Sequence, residues 1–235
     1  MSRSVLWTAL LAAVVTAAAL VSVVLLRSQA TDHQGFQSAG EAVASGVTPL
    51  PGSECGAGPC QVLRSVEVHG ESVELLADAE GGTGRVRIGG ATSKMVLETS
   101  ITALGVRLNG DSLSCFAAGV SACLVRGPHD GGMVGEVLVS REGNWRASEK
   151  PYFSDAGSIV LANVTGDDAA EVVRVQHECS DAQASAGKCQ VTPVHAEVFD
   201  LGGKQVGCSR GYTSPSQIRG WPDIRLTAAD LRPCP

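Results

Sequence analysis

The sequence predicts an all-β domain that follows one N-terminal transmembrane helix. A nearly unbroken apolar run covers residues 5–26, and all eight cysteines lie between Cys55 and Cys234. Short alternating segments separated by Gly-rich turns fill the same region. An even number of cysteines on one side of an apolar span is typical of an oxidising compartment. We therefore expect a disulfide-stapled antiparallel domain outside the cytoplasm.

The apolar run is long enough to cross a bilayer. At about 1.5 Å per residue, a helix over residues 5–26 is about 33 Å long, whereas the core of a signal peptide has only about 7–15 residues. This length favours an uncleaved anchor at 5–27 behind a cytoplasmic stub at 1–4. Cleavage near Ala30 would instead release a secreted protein. The positive charge of the amino terminus and Arg3 sets the orientation only narrowly, so the cysteines place the C-terminal side outside the cell.

Composition limits the function classes. The chain carries 24 Asp+Glu against 18 Lys+Arg, a net charge of −6. This excess argues against nucleic acid and anionic lipid surfaces, which recruit basic patches. Aromatic residues make up 4% of the chain, which is few for a surface that stacks sugars or bases. Residues 28–53 have the composition of a flexible tether, which leaves 54–235 as one extracytoplasmic domain.

Hairpin signals recur through this domain. Residues 66–68 and 73–75 alternate apolar and polar side chains on either side of a His-Gly turn. Residues 106–108 run into Asn-Gly at 109–110, a dipeptide that favours the positive φ angles of a type I′ turn. Only residues 227–231 predict a helical turn. These signals favour an all-β fold.

A weak internal repeat relates residues 122–145 to residues 171–206. Each segment contains an apolar strand, a loop and a second strand that begins with glutamate. The spacing of about 50–60 residues suits propeller blades. A closed propeller typically needs about 4–8 blades, whereas this chain has room for about three. An incomplete set of propeller-like blades and a two-sheet sandwich are both compatible with the pattern.

One loop carries a possible metal site. Its sequence from Asn163 to Glu171 is NVTGDDAAE, after a predicted strand. It resembles the loop of FG-GAP or VCBS-type propeller repeats, D-x-N-G-D-G-x-x-D, which often binds calcium. The resemblance implies oxygen ligands from Asn163, Thr165, Asp167 and Glu171. Thr165 and Asp168 depart from the pattern, and the alternative is that Asn163 and Asp167 only hydrogen-bond the backbone of a tight turn.

The cysteines fall into neighbouring pairs. Eight cysteines allow 105 connectivities, so their spacing does not prove the pairing. Nearest-neighbour bonds are favoured because each would close a turn or the tail. A metal or redox site would need C-x-x-C spacing or clustered histidines, which the sequence lacks. The favoured pairs are Cys55–Cys60, Cys115–Cys123, Cys179–Cys189 and Cys208–Cys234.

The order of features resembles a set of exported actinobacterial proteins. The shared features are the anchor, a C-x4-C spacing and the segments VELLAD, SCFAAGVSACLVRG, SDAGSIVLANV and LRPCP. The resemblance covers Cys55 to Pro235 and implies a shared fold and location, but no activity.

No catalytic motif is complete, since the S-x-x-K at 185–188 lacks its companion motifs. We therefore expect a non-catalytic binding or structural module at the cell envelope, without a cofactor other than the calcium considered above. Its partner would be an envelope protein or polymer, and the helix at 5–27 would contact the membrane. The alternatives are a cation-dependent adhesion module that uses residues 163–171 and an envelope hydrolase with an unrecognised site.

The topology predicts the behaviour of reporter fusions. Alkaline phosphatase, which is active only after export, should be active when fused after Pro235, because residues 5–26 should leave everything that follows outside the cytoplasm. Enzyme activity is measured in intact cells, with a chain that lacks residues 5–26 as the control. An active cytosolic reporter at the same position would contradict the topology.

Overall fold

The structure, a computed structural model, describes residues 54–234 except 57, 94 and 180–188. These residues belong to one unit, Thr48–Pro235. They form antiparallel strands and short 3₁₀ turns, so the all-β prediction is confirmed. No helix in this part of the chain has the length and apolarity needed to span a membrane. The predicted anchor at 5–27 and tether at 28–53 lie outside the described residues.

A two-stranded ribbon precedes three larger sheets. The ribbon contains β1 (Glu54–Cys55) and β2 (Gly58–Pro59). Sheet 1 contains β3 (Gln61–Val68), β4 (Glu71–Ala77), β5 (Gly84–Ile88) and β6 (Met95–Glu98). Sheet 2 contains β7 (Leu113–Phe116), β8 (Ser121–His129), β9 (Gly132–Arg141), β10 (Asn144–Ala147) and β11 (Tyr152–Ser154). Sheet 3 contains β12 (Ile159–Ala162), β13 (Glu171–His177), β14 (Val194–Phe199) and β15 (Gln205–Cys208). The 3₁₀ turns are Ile101–Leu104, Cys189–Val191, Pro215–Gln217 and Ala228–Asp230.

Each larger sheet is an antiparallel meander in chain order. Consecutive strands pair with one another except β10 and β11, which both pair with β9 and follow one another along the same edge. The segments 122–145 and 171–206 supply the second to fourth strands of sheets 2 and 3. The internal repeat therefore corresponds to equivalent parts of two meanders.

The prediction of a strand and a type I′ turn at 106–110 is wrong. Val106 and Leu108 are buried, but they lie in the connection between β6 and β7, where the N–H of Leu108 donates to the carbonyl of Gly81 at 2.9 Å. The side chain of Asn109 accepts a hydrogen bond from the N–H of Asp111, and neither residue 109 nor 110 has a positive φ. Alternating burial here comes from packing under a sheet, and the local Asn109 hydrogen bond forms a different turn.

Sheet 2 lies between sheets 1 and 3. One of its faces places Val125 and Leu138 in a core shared with sheet 1. The opposite face places Leu124 and Val137 in a core shared with sheet 3. Successive residues of a strand point to opposite faces, so both faces of sheet 2 are apolar at its centre. The three sheets form a stack.

Loops at one end of the sheets hold the stack together. The ring of His69, in the turn between β3 and β4, lies 2.8 Å from the carbonyl oxygen of Ala118 in the loop between β7 and β8. In turn, the N–H of Val120 in that loop donates to the carbonyl of Asp168 in the loop between β12 and β13 at 3.2 Å. A Cβ at Gly119 would lie 2.0 Å from the Asp168 carboxylate, so a larger residue there would displace the exposed Asp168 side chain.

A buried carboxylate ties the connection between sheets 1 and 2 to β9. Glu136 is 3% exposed and accepts hydrogen bonds from the Ser100 N–H at 2.7 Å and from the Ser100 hydroxyl. Burial raises the pKa of Glu136, and the hydrogen bonds from Ser100 oppose this effect. The carboxylate thereby accepts the hydrogen bond of a backbone N–H just before the turn Ile101–Leu104.

The two ends of the stack are covered differently. The outer face of sheet 1 is mostly polar, with Leu76 as a buried exception, and it carries the cross-strand ion pair of Arg87 and Glu74, whose side chains are 2.7 Å apart. The outer face of sheet 3 is apolar and packs against the C-terminal tail through Ile218, Ile224 and Leu226. The tail therefore replaces a further sheet at that end.

Four disulfides staple the turns and the tail, and they join the neighbouring cysteines that the spacing favours. They indicate an oxidising, extracytoplasmic environment. The bonds are Cys55–Cys60, Cys115–Cys123, Cys179–Cys189 and Cys208–Cys234.

Removing the tail disulfide should destabilise the protein more than removing the ribbon disulfide. Cys208 and Cys234 are 26 residues apart in sequence, whereas Cys55 and Cys60 are 5 apart. Chain entropy predicts losses of about 3.5 and about 2 kcal/mol in the free energy of unfolding, because the longer loop constrains the unfolded chain more. Urea unfolding of the variants Cys208→Ser/Cys234→Ser and Cys55→Ser/Cys60→Ser measures both values. A larger loss from the ribbon variant would contradict the argument.

Candidate functional site

A cleft of about 550 Å³ opens between sheets 2 and 3. We call it the inter-sheet cleft. Its volume falls in the range of about 300–1,000 Å³ that is usual for ligand pockets. Four basic side chains line it, against one acidic side chain, Glu149. The basic residues are Arg141, Arg146, Lys150 and Arg174, and the large apolar residues are Val139, Tyr152, Phe199 and Leu201.

Strand register places two of the arginines at the mouth of this cleft. Arg146 of β10 lies opposite Val139 of β9, and Arg141 is two residues beyond Val139. Val139 packs into the core between sheets 2 and 3, so all three side chains share the face of sheet 2 that is turned towards sheet 3. Arg141 and Arg146 are exposed diagonal neighbours, a relation that puts their positions about 7–8 Å apart.

The floor of the cleft is aromatic. The rings of Tyr152 and Phe199 are 5.6 Å apart between centroids and tilted by 59°. Burial raises the pKa of the Tyr152 phenol, the carboxylate of Asp200 raises it further, and Arg174 opposes both. The hydroxyl therefore stays protonated at neutral pH, and within the described part of the chain it has no hydrogen-bond partner. It is available to donate to a ligand.

Arg174 is held rigidly beneath the rim. It lies opposite Glu197 on the neighbouring strand, and its Nη2 and Nε atoms are 2.7 and 2.8 Å from Oε2 of Glu197. Its guanidinium also lies over the ring of Phe199, 5.0 Å from the centroid. Because the charge of Arg174 is already neutralised, its main contribution is to shape the cleft.

A buried histidine continues this network. The Nε2 atom of His195 lies 3.3 Å from Oε1 of Glu197, and its Nδ1 lies 3.7 Å from the carboxylate of Glu178. Burial raises the pKa of Glu197, but the hydrogen bonds from His195 and Arg174 lower it more, so the net shift is downward. Glu197 thus stays ionised and keeps Arg174 in place.

A second cavity, of about 300 Å³, lies where β7, β8 and β12 meet the tail. Its main polar feature is Arg126, whose guanidinium donates to the carbonyl of Ile159 in sheet 3. Burial lowers the pKa of Arg126, and the nearby carboxylates of Asp223 and Asp111 oppose this effect. Arg126 therefore links sheets 2 and 3, and this cavity is structural.

The predicted calcium loop is closed by its own hydrogen bonds. Asn163 donates to the Asp167 carbonyl and accepts from a backbone N–H, both at 2.7 Å. Glu171 accepts from the hydroxyl of Thr165 at 2.5 Å and from a backbone N–H at 2.7 Å, and Asp167 accepts from a backbone N–H at 3.0 Å. Residues 163–171 thus form the hydrogen-bonded turn given as the alternative, and calcium binding stays a prediction. In the described ranges no group of three or more His, Cys, Asp or Glu side chains is arranged to hold a metal ion.

Comparison with known proteins finds no relative whose function could guide the interpretation of this site. No family model matches the chain, and neither a curated protein nor a solved structure matches it.

Sequence reasoning missed the inter-sheet cleft. The sequence places Arg141 and Arg174 only within the two segments of the internal repeat, 122–145 and 171–206. The available signal was the close spacing of Arg141, Arg146 and Lys150 in a chain with excess acid. That signal does not show which face of the sheet the side chains share.

Replacing Glu197 should change how stability depends on pH. Because the pKa of Glu197 lies below its ordinary value of 4.5, its ionised form stabilises the fold above that value, and this contribution is lost as the pH falls through the folded pKa. Glu197→Gln should lower Tm at pH 7 and flatten its decrease between about pH 5 and pH 3. Thermal unfolding across this range measures both effects.

Glu98→Gln is the matched control. Glu98 also pairs with an arginine on a neighbouring strand, Arg85, but its side chain is 77% exposed. Such a pair contributes little, so the control should follow the wild-type profile. If Glu197→Gln also followed that profile, Glu197 would not hold the network.

Proposed function

We propose that this protein is a non-catalytic binding module of the bacterial cell envelope, and that the inter-sheet cleft is its ligand site. Residues 5–27 anchor it in the cytoplasmic membrane, and the domain that begins at Glu54 lies outside the cell. The length of the apolar run and the four disulfides support this placement. Cleavage near Ala30 would release the same domain in secreted form.

In this proposal the three sheets are propeller-like blades that stop short of a closed ring. Their meander order of four or five strands and their face-to-face stacking support this interpretation over a two-sheet sandwich. A stack that does not close into a ring must keep the outer faces of its first and last sheets from exposing apolar surface. The polar outer face of sheet 1 and the tail that covers sheet 3 meet this requirement.

The composition of the cleft favours binding over catalysis. Its lining combines free cations with an aromatic floor, and it contains one serine and no histidine or cysteine. The hydroxyl of that serine, Ser148, donates to the Lys150 carbonyl at 3.2 Å and accepts from the Val137 N–H at 3.3 Å. These groups are suited to holding a ligand, because no lining nucleophile has an adjacent base. An envelope protein or polymer is the expected partner, and the net charge of −6 argues against nucleic acid.

Photo-crosslinking tests the proposal in cells that produce the full chain. A benzophenone amino acid replaces Glu149, which is exposed and lines the cleft, or Ser65, which is exposed on the outer face of sheet 1. Position 149 should form an adduct that position 65 does not form, because only position 149 lies within reach of a bound ligand. Mass spectrometry identifies the adduct. Identical adducts at both positions, or none at 149, would contradict a ligand site in the cleft.

A further inference from the structure

We infer that the inter-sheet cleft recognises its ligand through two or more carboxylate or phosphate groups. This inference rests on the proposed function and names the ligand chemistry. The observation that carries it is the juxtaposition of three unpaired cations, Arg141, Arg146 and Lys150, around the floor formed by Tyr152 and Phe199.

The three cations differ from the arginines of sheet 1. On its outer face Arg85 pairs with Glu98 and Arg87 pairs with Glu74, so each charge is balanced within the sheet. Among the residues that the structure describes, the cations at the mouth of the cleft have neither an ion pair nor a hydrogen-bond partner. Like charges in close positions repel one another, and a bound anion removes this repulsion.

Their placement suits an extended anion. Arg141 and Arg146 are diagonal neighbours on one face of sheet 2, so both guanidinium groups reach the same opening. Lys150 follows in the segment between β10 and β11, and it extends the positive charge along the cleft. A guanidinium presents a planar fork of donors that matches a carboxylate or phosphate, whereas lysine adds a point charge. The row therefore accommodates more than one anionic group.

The floor adds a requirement on the rest of the ligand. Arg174 is neutralised by Glu197 and stacked on Phe199, so the floor presents ring and aliphatic surface rather than free charge. The unpartnered hydroxyl of Tyr152 is the polar group that remains there. A ligand that combines anionic groups with an apolar or planar portion and an acceptor for Tyr152 fits both parts of the cleft.

Calorimetry with two small anions tests this inference on the full chain in neutral detergent. Citrate supplies carboxylates, pyrophosphate supplies phosphates, and sodium chloride at equal ionic strength is the background. At least one anion should bind, and the double variant Arg141→Gln/Arg146→Gln should weaken that binding about tenfold or more for each arginine. Arg64→Gln is the matched control, because Arg64 is an exposed strand arginine without an ion pair among the described residues, and it belongs to sheet 1 and does not line the cleft. It should leave the affinity unchanged.

The two anions also separate the possible sources of the charge. Binding of citrate alone identifies carboxylates as the recognised groups, and binding of pyrophosphate alone identifies phosphates. If neither anion binds the wild type more tightly than the double variant, the inference is overturned. A specific adduct at position 149 would then still support the cleft as a ligand site, so the two failures are distinguishable.

Discussion

Sheet 2 is buried on both faces, and such a sheet needs apolar residues at successive rather than alternate positions. Residues 122–125 of β8 meet this need, since Ala122, Cys123, Leu124 and Val125 are all fully buried. Even-numbered side chains pack towards sheet 3 and odd-numbered ones towards sheet 1. Both outer sheets therefore pack against opposite faces of the same strand, and hydrogen bonds between the loops around Gly119 hold the alignment at one end. The cleft lies between two of the stacked sheets, and the disulfide-closed tail covers one end of the stack.

A stack of sheets must end without exposing an apolar face, since such a face would recruit another sheet or another chain. The chain uses a different solution at each end. On sheet 1, charged residues such as Glu74 and Arg87 alternate with buried ones and pair across strands. On sheet 3, the C-terminal tail supplies Ile218, Ile224 and Leu226 as a cover, and the bond between Cys208 and Cys234 holds this cover in place. Three meanders can thus form a self-sufficient domain.

The inter-sheet cleft lies where this stacking ends at the outer strands. Val139 is still within the core, whereas Arg141, two residues further along β9, is exposed. Below the rim, the ionised Glu197 balances Arg174, and His195 is buried beside it. The charge that remains at the mouth is therefore positive, in a chain whose net charge is −6.

The local features of the domain could be predicted from the sequence, because alternation, turn residues and short cysteine spacings act between near neighbours. The hairpin of β3 and β4, the closing turn at 228–230 and the neighbouring disulfide pairs are of this kind. The error at 106–110 has the opposite origin, since the burial of Val106 and Leu108 depends on residues far away in the chain. By itself the sequence determined the all-β class and the oxidising environment. Only the tertiary structure decided the candidate site, because Arg141 and Arg174 belong to different sheets and come to line one cavity only when those sheets stack.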